Sequence, residues 1–148
     1  MSPHEVLSQL QREIPITKVL GFSIQSLSEE SAICSLPLNP NINHKGTLFG
    51  GSQYSGCALA CYSLFLFNVR QASSPTNNIV VAGANIKYLK PAPFDVRVKA
   101  FWKESDGRSR FLEHLERKGK ARVSLLAHVL DGADLLLTEF QGDFVVFQ

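Results

Sequence analysis

Residues 43–54 read Asn-His-Lys-Gly-Thr-Leu-Phe-Gly-Gly-Ser-Gln-Tyr, and this run holds most of the chemistry the chain can offer. Gly50 and Gly51 stand directly before a long apolar stretch and so open a helix. The first amides of a helix have no intrahelical acceptor, and they carry the positive end of its dipole. A carbonyl oxygen that gains negative charge during a reaction is stabilised by such amides. Glycine, lacking a side chain, lets it come close. The plain alternative is tight packing where helix meets sheet. Asn43 has a carboxamide that donates and accepts at once, so it can orient a water; Asn in a Pro/Asn loop also commonly closes an Asx turn. His44 beside it puts an imidazole near the site, or is simply a solvated loop histidine. Ser52 and Tyr54 place hydroxyls in the first turn, where Ser52 can cap the helix or touch a bound carbonyl.

Cys57 and Cys61 lie one helical turn apart. No histidine or acid accompanies them, so a metal site is not expected and the thiols read as small core residues, with Cys57 a secondary candidate for a nucleophile. Asn85, Lys87 and Lys90 sit together on a later strand. They are either a solvated face or a polar rim whose lysines meet phosphate groups. The stretch 97–122 holds nine Lys/Arg against four acids, which fits a solvated face or a docking surface for an acidic carrier protein.

The elements that must position these residues centre on one oddity. From residue 46 to residue 69 the chain has no charged side chain, 24 positions in a row. That length raises the question of a membrane span. The front of the window is glycine, serine, threonine and glutamine, and only residues 57–67 are continuously rich in apolar side chains, too few to cross a bilayer. A helix buried on all sides in a globular domain is the better reading. The rest of the composition agrees: 148 residues are one domain's worth of chain, 45% of them hydrophobic and 19% charged, with a net charge of +2 that does not announce a nucleic-acid binder. Three cysteines, an odd number with two inside an apolar run, read as unpaired thiols of a reducing compartment, hence a cytoplasmic protein. No signal peptide is expected at the N-terminus.

Ser2-Pro3-His4-Glu5 is a capping box with proline at the first helical position, and Val6, Leu7, Leu10 and Ile14 follow at helical spacing up to Pro15. Two short strands are expected next, with Leu20, Phe22 and Ile24 inward on the first and Ala32, Cys34, Leu36 and Leu38 on the second. A polar loop, 39–45, leads to the apolar helix, which ends near Asn68, and a Ser/Pro/Asn loop covers 71–78. Strands are expected over 79–90 and 94–102, a short helix over 105–118 stopped by Gly119, and strands over 122–130 and 135–147 joined by a tight Asp131-Gly132 turn. Without strand–helix alternation this is an α+β domain, an antiparallel sheet wrapped around one long helix, spanning residues 1–148.

That architecture is the hot-dog fold, and the run Asn43-His44-Lys45-Gly46-Thr47-Leu48-Phe49-Gly50-Gly51 resembles the Asn-x-x-Gly-x-x-His-Gly-Gly signature of acyl-CoA thioesterases built on it. With the strand ending Ile86-Lys87-Tyr88-Leu89-Lys90-Pro91-Ala92 and the helical insert around Phe111-Leu112, residues 15–148 resemble the YiiD C-terminal family of thioesterases. The resemblance implies an acyl-CoA or acyl-carrier-protein thioester as substrate, its carbonyl held at the Gly51 amide and a water held by Asn43. Asn43 and Gly51 are then the catalytic pair. His44, Gly46, Gly50, Ser52, Tyr54, Asn85, Lys87 and Lys90 are the substrate-binding set, with no metal and no cofactor. Two departures stand out. Phe49 replaces the histidine before the glycines, and the usual Asp or Glu two turns into the helix is missing, since 56–61 read Gly-Cys-Ala-Leu-Ala-Cys. A non-catalytic acyl-thioester binding or sensing domain is therefore the second reading. A homodimer is expected, because a single sheet leaves an edge strand to cover.

Overall fold

A computed structural model of the chain describes residues 1–73 and 75–148. Helix α1 (Pro3–Glu13) begins with the expected reciprocal cap, Glu5 N donating to Ser2 Oγ and Ser2 N to Glu5 Oε2, both at 3.1 Å. Pro15 ends α1 but also starts a four-residue helix, α2 (Ile16–Val19), since its fixed φ suits a helical first turn. Leu20 and Phe22 are thus buried ahead of the first strand rather than inside it. Gly21, at φ +70°, turns the chain there, and a Cβ on it would meet Pro37 Cγ at 2.8 Å.

Six strands follow: β1 (Ser23–Leu27), β2 (Ser31–Leu36), β3 (Ile79–Tyr88), β4 (Val96–Trp102), β5 (Lys120–Leu130) and β6 (Leu136–Phe147). They form one antiparallel sheet in the order β1-β2-β4-β5-β6-β3. Helix α3 (Gly50–Val69) lies across its concave face, and α4 (Gly107–Lys118) is inserted between β4 and β5 and ends at Gly119, φ +69°. This is the hot-dog arrangement. The two-residue turn expected after Asp131 is instead a five-residue loop. Asp131 Oδ1 accepts from Ala133 N and Leu135 N at 2.8 Å, which holds Asp134 at positive φ. In the loop expected over 71–78, Ser74 lies outside the described residues.

Helix α3 forms readily because its interior is Ala, Leu, Cys and Phe, with no β-branched residue before Val69. It is not buried on all sides. Gly51, Tyr54, Ser55, Ala58 and Tyr62, one stripe at helical spacing, stay partly open while the other faces are covered by the sheet. At the far end of α3, Phe65 meets Phe111 of α4 and Phe144 of β6 edge-on, with ring centroids 4.8 and 6.0 Å apart, and Trp102 stacks on Phe111 at 5.6 Å. Asn68 completes that end: its Nδ2 donates to the carbonyls of Leu64 and Glu29, and its Oδ1 accepts from Arg108 Nε at 2.6 Å. No helix among the described residues is long and apolar enough to cross a membrane.

Removing the Phe65 ring leaves a void that three elements share. Phe65→Ala is expected to cost about 3–5 kcal/mol in urea unfolding. A loss under about 1 kcal/mol would show that the aromatic cluster does not hold α3 to the sheet.

Candidate active site at the start of helix α3

The chain reaches α3 through a narrow loop that folds back on itself. Ile42 bridges Leu48, Asn43 N donates to the Thr47 carbonyl at 2.8 Å, and Phe49 N donates to the Asn41 carbonyl at 2.8 Å. Asn43 governs this loop with its side chain. Its Oδ1 accepts from Lys45 N at 2.9 Å and Thr47 N at 3.1 Å, and its Nδ2 donates to Thr47 Oγ1 at 2.9 Å. Gly46 sits at the tip with φ +78°, a conformation that a side chain resists. His44 is exposed on the same tip.

Two polar contacts from the sheet anchor the loop against the helix. Gln53 Nε2 donates to the Leu48 carbonyl at 3.2 Å, and Thr138 Oγ1 of β6 donates to Gln53 Oε1 at 2.5 Å. Both side chains are buried, so each satisfies the other where water cannot. Tyr88, the last residue of β3, donates its hydroxyl to the Gly50 carbonyl at 2.8 Å. Burial, and then the neighbouring Cys57 and Tyr54, push that hydroxyl's pKa upward, so it stays protonated and remains a donor.

Helix α3 has no side-chain cap: Phe49 stands at the N-cap position, and Ser52 sits inside the first turn rather than capping it. Gln53 N is the first amide with a backbone partner, the Phe49 carbonyl at 3.0 Å. Among the described residues, no acceptor is paired with the amides of Gly50, Gly51 or Ser52. Three donors and the positive end of a 20-residue helix therefore face outward together. Phe49, 57% exposed, lays its ring over Gly51, where a Cβ would meet it at 2.6 Å. A Cβ on Gly50 would press on the Tyr88 ring at 3.2 Å. Each glycine lies directly against an aromatic ring.

A cavity of about 280 Å³ opens at this end, lined by Leu48, Gly50, Gln53, Tyr88, Leu89, Lys90 and Pro91. Of the strand residues expected here, Lys90 alone arrives. Asn85 and Lys87 pair with Gln141 and Glu139 on the opposite face of the sheet, beside Leu126 and His128. Tyr88 and Gln53 take part in their place. Tyr88 was legible in principle. Ile86 and Tyr88 share one parity of β3 and Asn85 and Lys87 the other, so an inward Ile86 brings Tyr88 to the helix. Gln53–Thr138 spans 85 residues and left no local trace.

Among the described residues, no carboxylate or histidine lines the entrance cavity. Among the described residues, no three His, Cys, Asp or Glu side chains converge as metal ligands. Cys34, Cys57 and Cys61 are free and buried, and burial raises all three thiols. A thiol in that setting is a packing residue.

The sequence from residue 4 to residue 148 matches the profile of a family described as "Putative thioesterase (yiiD_Cterm)". Among solved structures, a thioesterase-type protein of Shewanella oneidensis superposes with a TM-score of 0.83 at 24% identity, covering 99% of this chain and 97% of that one. A Chlorobaculum tepidum protein of unknown function gives 0.81 at 30% identity with the same coverage. A Pseudomonas aeruginosa protein of unknown function gives 0.78 at 21%, covering 98% and 95%.

If the thiols are inert core residues, the native protein should release no thiolate to a disulfide reagent at about pH 8 and should react at all three cysteines once denatured. A fast-reacting thiol in the native state would return Cys57 to the list of nucleophiles.

Proposed function

We propose, from the premise that this chain belongs to the yiiD_Cterm thioesterase family, that it hydrolyses acyl thioesters at the start of α3. The observation that carries the reading is the set of three outward amides, Gly50 to Ser52, with no protein acceptor among the described residues. A thioester carbonyl placed there gains negative charge as water adds to its carbon, and the amides hold that oxyanion. The C–S bond then breaks, giving a thiol and a carboxylic acid. One such donor is worth about 2.7–4 kcal/mol in the transition state.

In this reading Asn43 presents its remaining Nδ2 proton to the water while its oxygen holds the loop. Lys90, at the rim of the entrance cavity, meets a phosphate of coenzyme A. The basic stretch 97–122 runs over β4, α4 and the start of β5. Much of it lies on α4, which packs against Phe65 at the other end of α3. A free acyl-CoA suits the entrance better than an acyl-carrier protein.

The second reading, a domain that binds acyl thioesters without cleaving them, has one specific observation in its favour: among the described residues, no carboxylate or histidine that could activate water lines the entrance cavity. Turnover separates the two. Released thiol should exceed the buffer rate on at least one acyl-CoA. Asn43→Asp, which keeps the acceptor for the Lys45 and Thr47 amides, lets Thr47 Oγ1 donate to the carboxylate and loses the Nδ2 donor, should lower kcat at least tenfold with Tm lowered by no more than about 4 °C. Zero turnover on every chain length, with a non-hydrolysable analogue still bound, would establish the binding domain instead.

A homodimer belongs to the same proposal. Strand β3 is an edge ten residues long, with Val80 and Val81 about half exposed and no proline in it, and natural proteins rarely leave such an edge bare. Pairing two β3 strands would cover it and bring a second copy over the open stripe of α3. Light scattering should return twice the chain mass. A monomer would count against any site shared between copies.

A further inference from the structure

A cleft of about 210 Å³ lies between α4 and the strands beside it, and its charged lining is Lys103, Glu104, Arg110, His114 and Arg122. Three elements bring these side chains together. Lys103 N donates to the Ser124 carbonyl at 3.4 Å, which carries the chain leaving β4 alongside β5. Arg110 and His114 stand one turn apart on α4 and share a face of it. Arg122 comes from β5. Phe111, buried against Phe65, also lines the cleft. Phe65 is roughly 21 Å along α3 from Gly51, so the cleft and the helix start are separate places on this chain.

The cleft gathers three fixed cations, Lys103, Arg110 and Arg122, with one acid, in a chain whose net charge is only +2. Their pairing is loose. Arg110 reaches Asp106 at 3.9 Å and Arg122 reaches Asp143 at 3.4 Å, whereas Arg108 and Arg117, also on α4, meet Glu29 and Glu113 at 3.1 and 3.2 Å. The Asp143 carboxylate is also engaged by Ser124 Oγ at 2.6 Å. Among the described residues, no partner is bonded to the Lys103 ammonium or the His114 ring. Like charges held in one notch repel each other, and an anion between them turns that repulsion into attraction. Two guanidinium forks beside an ammonium are a donor set suited to the oxygens of a phosphate group.

We propose that this cleft binds a small phosphate-bearing anion. Its volume sets the size: drug-sized ligands fill about 300–1,000 Å³, so there is room here for a phosphate or pyrophosphate group and little more. The bound group would bridge α4 to β5 and should therefore raise Tm. This site does not depend on the thioester reading of the helix start, and its test needs no turnover.

The test is calorimetric titration of the full chain with inorganic phosphate and with inorganic pyrophosphate, at a fixed ionic strength of about 0.15 M. Saturable binding of pyrophosphate is expected, with Kd about 1 mM or tighter. Replacing both guanidinium groups, Arg110→Gln with Arg122→Gln, should weaken it at least about tenfold. Glu104→Gln removes the acid from the lining and should tighten it about two- to fivefold. Lys18→Gln, on α2, removes one positive charge elsewhere and should leave Kd within about twofold. All four side chains are exposed, and the Tm of each unliganded variant checks the fold. If the double variant does not fold, Glu104→Gln decides, and an unchanged affinity there would overturn the site. Glycerol 3-phosphate separates the sources: binding equal to that of phosphate would assign the cleft to phosphate esters, and weaker binding to the free ion. The proposal fails if no saturable heat appears up to about 20 mM pyrophosphate. It fails equally if Lys18→Gln weakens binding as much as the double variant does, since only overall charge would then be at work.

Discussion

Everything in this molecule answers to the burial of a helix that carries no charge. A 20-residue helix without a single ionic side chain gains by burying most of its surface, and the sheet covers all but one stripe of it. Curling requires inward side chains that are small where the helix is close and large where it is not. β5 presents Ala121, Leu125, Ala127 and Val129, and β6 presents Gly142 between Phe140 and Phe144, where a Cβ would meet both rings within 3 Å. The aromatic cluster at Phe65 fixes one end of the helix and the Gln53–Thr138 pair fixes the other.

That second anchor explains how the outward amides stay available. A helix start normally recruits a serine, threonine or aspartate to satisfy its first donors. Here the N-cap is Phe49, which can offer nothing, and Gln53 spends its carboxamide on the loop and the sheet instead of on the helix. Tyr88 bonds the Gly50 carbonyl, an acceptor, and so leaves the donors alone. Gln53 and Tyr88 hold the helix end, and among the described residues no side chain is bonded to its first amides. A rigid set of unpaired donors is what stabilisation of a developing charge requires, since no reorganisation is then needed as the charge forms.

The elements were legible from sequence because each follows from local chemistry: the capping box of α1, the period-two alternation of β2 and β4, the charge gap of α3, the glycine that stops α4. The glycines at 50 and 51 were legible for the same reason. Three things were not. The four-residue α2 arises because Pro15 can both end one helix and begin another. The loop at 131–135 is set by where the Asp131 carboxylate finds amides, which a dipeptide pattern does not reveal. The Gln53–Thr138 anchor of α3 comes from a residue 85 positions away, and a contact at that separation is a property of the sheet order. Asn85 and Lys87 follow strand parity instead: they pair with Gln141 and Glu139, away from the cavity at the start of α3.

Three unfinished features share one side of the chain: the unpaired edge of β3, the open stripe of α3, and the helix start with its bare donors. Each would be an oddity alone. An exposed valine pair on an edge strand invites aggregation, a half-covered apolar helix forfeits burial, and unpaired amides forfeit hydrogen bonds. Together they describe a surface that one further body, laid along β3, would complete. The stripe then ceases to be a defect in the wrapping of α3. It is a face that the chain's own sheet leaves free, because the edge strand β3 ends the sheet beside Ser55, Ala58 and Tyr62.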